Sequence, residues 1–90
     1  MSNDGWTLLV SGPAARGIRQ LPEKYALAVV AALRAIETNP RRLGKSLRFE
    51  LEGRWSARRG PYRIIYVIDD ATSTITVLAV AHRADVYRRD

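Results

Sequence analysis

The run Ile64-Ile65-Tyr66-Val67-Ile68 constrains the fold more than any other stretch of this 90-residue chain. Within a strand from Tyr62 to Asp69 it is apolar on both faces, so neither face can be left to water. Such a strand belongs inside a sheet, with a second layer covering it. Domains rarely split below roughly 100–150 residues, so residues 1–90 are read as a single domain. A chain this short buries only about 60–65% of its unfolded surface, enough for one modest core. The covering layer must therefore come from the helices of the same small domain.

The chain offers them. Trp6 to Val10 reads as a first strand suited to a partly buried edge, and Ser11-Gly12-Pro13 as a helix start, with proline in the first turn. A short helix runs to about Gln20, where Leu21-Pro22 breaks it, because proline disfavours helical backbone in the residue before it. A second helix runs to about Thr38, with Ala26, Val29, Val30, Leu33 and Ile36 as its apolar stripe, and Asn39-Pro40 stops it. Leu47 to Leu51 and Arg54 to Arg59 are strands around a Glu52-Gly53 turn. Asp70 to Ser73 is a hairpin loop, the Asp69-Asp70 carboxylates belonging to the turn, and Thr74 to Ala81 the returning strand. This order predicts an α+β fold: a helical hairpin packed on one face of a mainly antiparallel four- to five-stranded sheet.

Absences exclude much chemistry. Without cysteine there is no disulfide, thiolate nucleophile or cysteine-ligated zinc, and a single histidine, His82, excludes two-histidine acid/base catalysis. No phosphate-cradling glycine loop occurs. No apolar run approaches the roughly 20 residues needed to span a bilayer. The start, Met1 to Gly5, lacks the basic and apolar regions of a signal peptide, so a soluble cytoplasmic protein is expected.

Charge points to a polyanion. The net +6 rests on thirteen arginines and two lysines, and the stretch from Arg41 to Arg63 sets eight basic residues against Glu50 and Glu52. Guanidinium matches phosphate in a planar, bidentate way that ammonium does not. Strand alternation puts Arg54, Ser56 and Arg58 on one face and Trp55 and Ala57 on the other. Arg63 shares a face with Ile65 and Val67, opposite Tyr62, Ile64 and Tyr66. With the aromatic residues packed under the helices, Arg54, Arg58, Arg63 and Ser56 converge on an open face, and a charge beside so buried a run must be paired or meet a ligand. His82 is either a general acid near neutral pH or structural. Tyr87 either stacks on a nucleobase or packs the tail, and Glu50 either serves as a base or balances its arginine neighbours.

The pattern Leu47-x-x-x-Leu51-x-Gly53-x-Trp55-Ser56-Ala57-Arg58-Arg59-Gly60-x-Tyr62-Arg63-x-x-Tyr66 resembles the signature of RelE-type toxins of the RelE/ParE superfamily. The lead-in Arg42-Leu43-Gly44-Lys45-x-Leu47, the proline-broken hairpin and the ending His82-Arg83-x-x-x-Tyr87 are similar too. The resemblance covers nearly the whole chain. It implies a compact α+β fold like that of microbial ribonucleases and a metal-independent, cofactor-free endoribonuclease. Such an enzyme cuts messenger RNA in the ribosomal decoding site by attack of the ribose 2′-oxygen, leaving a 2′,3′-cyclic phosphate. It also implies a small acidic antitoxin as partner.

Carried over residue by residue, the resemblance makes Arg63 the phosphate clamp, Arg83 the stabiliser of the leaving group and Tyr87 the stacking ring. His82 completes the catalytic set, and Lys45, Arg48, Arg54, Arg58 and Arg59 are the RNA-binding cations. The chain departs from the family at the base. Ser56 stands where some members carry a lysine, and Lys45-Ser46 where another branch uses a glutamate. A ParE-like inhibitor of DNA gyrase and a non-catalytic basic RNA-binding module are the alternatives.

Overall fold

In the computed structural model, which describes residues 5–48 and 53–85, the doubly apolar run lies in the middle of a five-stranded sheet. The elements in chain order are β1 (Thr7–Val10), α1 (Gly12–Arg19), α2 (Glu23–Thr38), α3 (Pro40–Leu43), β2 (Lys45–Ser46), β3 (Arg54–Arg59), β4 (Tyr62–Asp69) and β5 (Thr74–His82). The strand order is β1-β5-β4-β3-β2. β1 runs parallel to β5, and the other pairings are antiparallel. Ala14 of α1 and Val29, Ala32, Leu33 and Ile36 of α2 pack on Ala57, Ile64, Tyr66, Ile75, Val77 and Val80 from one side of the sheet. The expected α+β arrangement is the one found.

Local chemistry explains the helix boundaries. Ser11, in extended conformation, caps α1: its Oγ accepts from the Ala14 N–H at 3.2 Å, with Pro13 in the first turn. The same hydroxyl donates to the Leu78 carbonyl at 3.1 Å, which ties the helix start to β5. Leu78 is itself irregular. Ile65 pairs with Ala79 but Tyr66 pairs with Val77, so Leu78 is the extra residue of a β-bulge. The bulge lets both Val77 and Val80 face the helices.

Three expectations are corrected. Val30 is 41% exposed and Leu27 64%, while Ala32 is buried in Val30's place. At 100° per residue Val30 stands roughly 110° from the centre of the stripe formed by Val29, Ala32, Leu33 and Ile36, outside the arc one sheet face can cover. Asn39-Pro40 ends α2 but also begins α3, because Asn39 Oδ1 accepts from the Arg41 N–H at 3.3 Å with Pro40 in the first turn. The strand expected from Leu47 is instead β2, two residues earlier. Leu47 N–H still donates to the Arg54 carbonyl at 2.8 Å, but Leu47 and Arg48 lie past the strand's end, and residues 49–51 lie outside the described residues. Gly53 has φ +94°, a left-handed conformation that suits glycine at the turn before β3.

Tyr66 joins these parts. Its side chain is fully buried, and its hydroxyl donates to the Pro40 carbonyl at 2.6 Å. A Cβ on Gly44 would collide with that hydroxyl, so the chain leaving α3 can pass only as glycine. Burial pushes the phenol up to about 12, against a smaller lowering from the Gly44 N–H. Neutral tyrosine is thus favoured by folding. That contribution is complete below about pH 10, where the unfolded phenol is also neutral, and is lost as pH rises through the folded value. Tyr66→Phe should cost about 1–3 kcal/mol in urea unfolding at neutral pH by stranding the Pro40 carbonyl. The stability gap between wild type and Tyr66→Phe should narrow as the titration is repeated at pH 10 and above.

Candidate functional site

The pleat of β3 and β4 sorts their side chains. Trp55, Ala57, Ile64 and Tyr66 go to the helices, and Arg54, Ser56, Arg58, Arg63 and Ile65 to the opposite, uncovered face. Arg58 and Arg63 are register partners, directly across from each other. β2 adds Lys45, the register partner of Ser56. Together Leu43, Lys45, Leu47, Ser56, Arg58, Arg59 and Arg63 line a cleft of about 430 Å³.

Its electrostatics are one-sided. The lining holds one lysine and three arginines and, among the described residues, no carboxylate. The ion pair found among the described residues, Arg41 with Asp70 at 2.7 Å, lies at the far end of β4 from Arg63. There the hydrogen bonds between them lower the Asp70 carboxyl and raise the Arg41 guanidinium. Arg41 also lies over the Trp55 ring, 5.9 Å from its centroid. Like charges directly opposite in a sheet destabilise it by about 0.2–1 kcal/mol, and Arg63 is half-buried besides. A bound anion would offset both costs.

The remaining expected site residues are spread around this cleft. Arg59 lines it, with Nη1 donating to the Arg58 carbonyl at 2.7 Å. Arg54, opposite Val67, and Arg48 are exposed but outside the lining. Arg83 follows β5 at the Arg63 end of the sheet, and its N–H donates to the Pro61 carbonyl at 2.7 Å. It stands two residues after Ala81, the register partner of Arg63. His82 does not join them. It pairs with Tyr62 on the helix side, its ring edge-on to that of Tyr62 at 5.7 Å, and its Nδ1 accepts from the Ala84 N–H. Tyr87 and Glu50 lie outside the described residues. Leu43 and Leu47 are cleft walls that sequence reasoning missed, and the Asn39 cap with Pro40 was the available sign of the turn that places Leu43. Among the described residues no cluster of three histidines or carboxylates is arranged to hold a metal ion, and no helix is long and apolar enough to cross a membrane.

Known proteins share this architecture. The chain is 44% identical to a chain of the Mycobacterium tuberculosis toxin–antitoxin complex RelBE2, with a TM-score of 0.79 over 90% of this chain and 94% of that one. A mutant of the E. coli toxin RelE in the free state, 19% identical, shares the fold with a TM-score of 0.76 over 92% and 87%. A helical hairpin backing a five-stranded mixed sheet is thus the RelE-type toxin fold. In sequence, the Mycobacterium tuberculosis toxin RelG is 46% identical over 85 residues, 93% of this chain and 98% of RelG. Toxin RelE of the same organism is 43% identical over 90 residues, 98% and 93% of the two chains. Residues 9–87 match the family described as ParE toxin of type II toxin-antitoxin system, parDE. The chain belongs to this family of toxins.

The facing arginines make a thermodynamic prediction. Arg58→Gln should leave stability unchanged or raise it by up to about 1 kcal/mol at low salt, by relieving the opposed charges. It should also shrink the rise in Tm that inorganic phosphate gives the wild type, measured in thermal melts with and without phosphate.

Proposed function

We propose that this chain, as a single domain, is a ribosome-dependent endoribonuclease of the cytoplasm that cuts messenger RNA in the decoding site and arrests translation. The observation that carries this reading is the cleft in which Arg58 faces Arg63, with no carboxylate among its described lining residues. Attack of a ribose 2′-oxygen on its own phosphodiester forms a dianionic phosphorane. Fixed positive charge around it lowers the barrier without reorganisation at the moment of reaction. Arg63, held half-buried at the start of β4, is the clamp. Arg83 meets the departing 5′-oxygen, Tyr87 stacks on the substrate base, and Arg48, Arg54 and Arg59 hold the flanking backbone. The products are a 2′,3′-cyclic phosphate and a 5′-hydroxyl. Arginine supplies the charge that a metal would otherwise supply. His82, turned to the helix side against Tyr62, has a structural part in this scheme.

A small acidic antitoxin is the expected neutralising partner. The uncovered cationic face would draw an acidic segment by fast, salt-sensitive association. The 44%-identical relative comes from a toxin–antitoxin complex, which supports the same arrangement here. The match to the ParE description favours one other reading, a gyrase inhibitor that binds and does not cut. Transcript cleavage and gyrase supercoiling, assayed side by side, separate the two.

Arg63→Ala should lower single-turnover cleavage on programmed ribosomes by about 10²–10³ while circular dichroism shows an intact fold. A folded Arg63→Ala protein cutting at the wild-type rate would sink the reading. Cleavage should also survive removal of transition metals at constant magnesium, and complete, metal-reversible loss would overturn the arginine mechanism.

A further inference from the structure

We infer that Lys45 is the group that takes the proton from the attacking 2′-hydroxyl, an assignment that rests on the nuclease reading above. The lining of the cleft narrows the choice by chemistry. Leu43 and Leu47 are inert, and the guanidinium groups of Arg58, Arg59 and Arg63 are poor proton acceptors. The hydroxyl of Ser56 does not accept a proton near neutral pH. Among the described residues of this lining, Lys45 is the one side chain whose neutral form is a competent base. The chain uses arginine thirteen times and lysine twice, so a lysine at this position is not what a demand for charge alone would select.

Geometry puts the amine in reach. Lys45 is the register partner of Ser56, Arg58 stands two residues along β3 on the same face, and Arg63 is directly across from Arg58. Partners across an antiparallel pair lie about 4.5–5.5 Å apart, and residues two apart on a strand lie roughly 7 Å apart. A four-carbon stem spans such a gap, so Nζ can meet a ribose whose phosphate lies between Arg58 and Arg63. The charged groups facing it are Arg58 and Arg59 from β3 and Arg63 from β4. Among the described lining residues no carboxylate ties the amine into an ion pair. Its backbone is fixed from behind, because the preceding residue, Gly44, is packed against the Tyr66 hydroxyl that bonds to Pro40.

The step balances without a co-reactant. The lone pair of neutral Nζ accepts the 2′-hydroxyl proton as the 2′-oxygen bonds to phosphorus. The bond from phosphorus to the 5′-oxygen breaks, its electron pair leaves with that oxygen, and the oxygen is protonated from solvent. The Lys45 ammonium returns its proton to solvent, so no proton is consumed overall.

Lys45→Arg tests this, because it keeps the charge and removes the acceptor. On programmed ribosomes under single-turnover, saturating conditions it should cut about 10²–10⁴ times more slowly than wild type, with ribosome binding little changed. A pH–rate profile measured for both proteins should rise with pH in wild type and stay flat in Lys45→Arg. Lys45→Ala should be comparably slow and regain rate with added small primary amines, which should do nothing for Arg63→Ala. Lys45 is exposed, so both variants should fold, as circular dichroism would verify. If wild type and Lys45→Arg both cut at similar rates, this assignment falls and the nuclease reading stands. If wild type itself leaves the transcript intact, both fall.

Discussion

The hydrogen bond from the Tyr66 hydroxyl to the Pro40 carbonyl links two parts of the chain that share no secondary structure. Tyr66 stands at the middle of β4, fully buried under α2, while Pro40 opens the short turn that carries the chain back to the sheet. An unpaired hydroxyl in that position would be costly, and so would an unpaired Pro40 carbonyl. Each solves the other's problem, and the pairing dictates where the chain must go next. It passes Tyr66 as glycine and enters β2 with Lys45 opposite Ser56. The wall of the cleft is therefore set from the core, by a group on the other side of the sheet.

The two faces of β4 divide the energetic work. Ile64 and Tyr66 bury against the helices and provide the cohesion. Arg63 and its cross-strand partner Arg58 work against it, with like charges at the closest spacing a sheet allows. Opposed charges are tolerated in a small domain only where the rest of the sheet is well packed. A core of aliphatic residues and one tyrosine, with Ala32 and Ala57 where the layers press together, is consistent with that division. Cohesion and the cationic face thus share one strand, on its two opposite sides.

Much of this was legible in the residues. Period-two alternation from Arg54 to Arg58 gave the sides of the sheet, because a strand's geometry leaves no other choice. The Ser11 cap and the Leu21-Pro22 break marked the helices through local chemistry. What stayed hidden was set by partners distant in sequence. β2 is two residues long and has no period to detect. Its register comes from β3, and its position from Tyr66. The exposure of Val30 depends on how far round α2 the sheet reaches, which the helix alone does not encode. The Arg41–Asp70 pair joins α3 to a hairpin tip, and no spacing rule connects them. Of the candidate site, Arg58 and Arg63 could be placed from alternation, whereas Lys45 and the two leucines needed the fold.

The bulge at Leu78 has an effect that reaches past its own strand. Counting by twos from Ile75 and Val77 would send Ala79 and Ala81 to the core side and His82 to the cationic side. The extra residue inverts that assignment, and the Ser11 hydroxyl, bound to the Leu78 carbonyl, holds the inversion in place. β5 therefore behaves like a text whose meaning depends on its reading frame. One codon more or less at this point would turn the His82 imidazole from the helix side to the cationic side while leaving the residue itself unaltered. Comparison of such toxins at this edge has to count strand length before it compares letters, since identical side chains can sit on opposite sides of the protein.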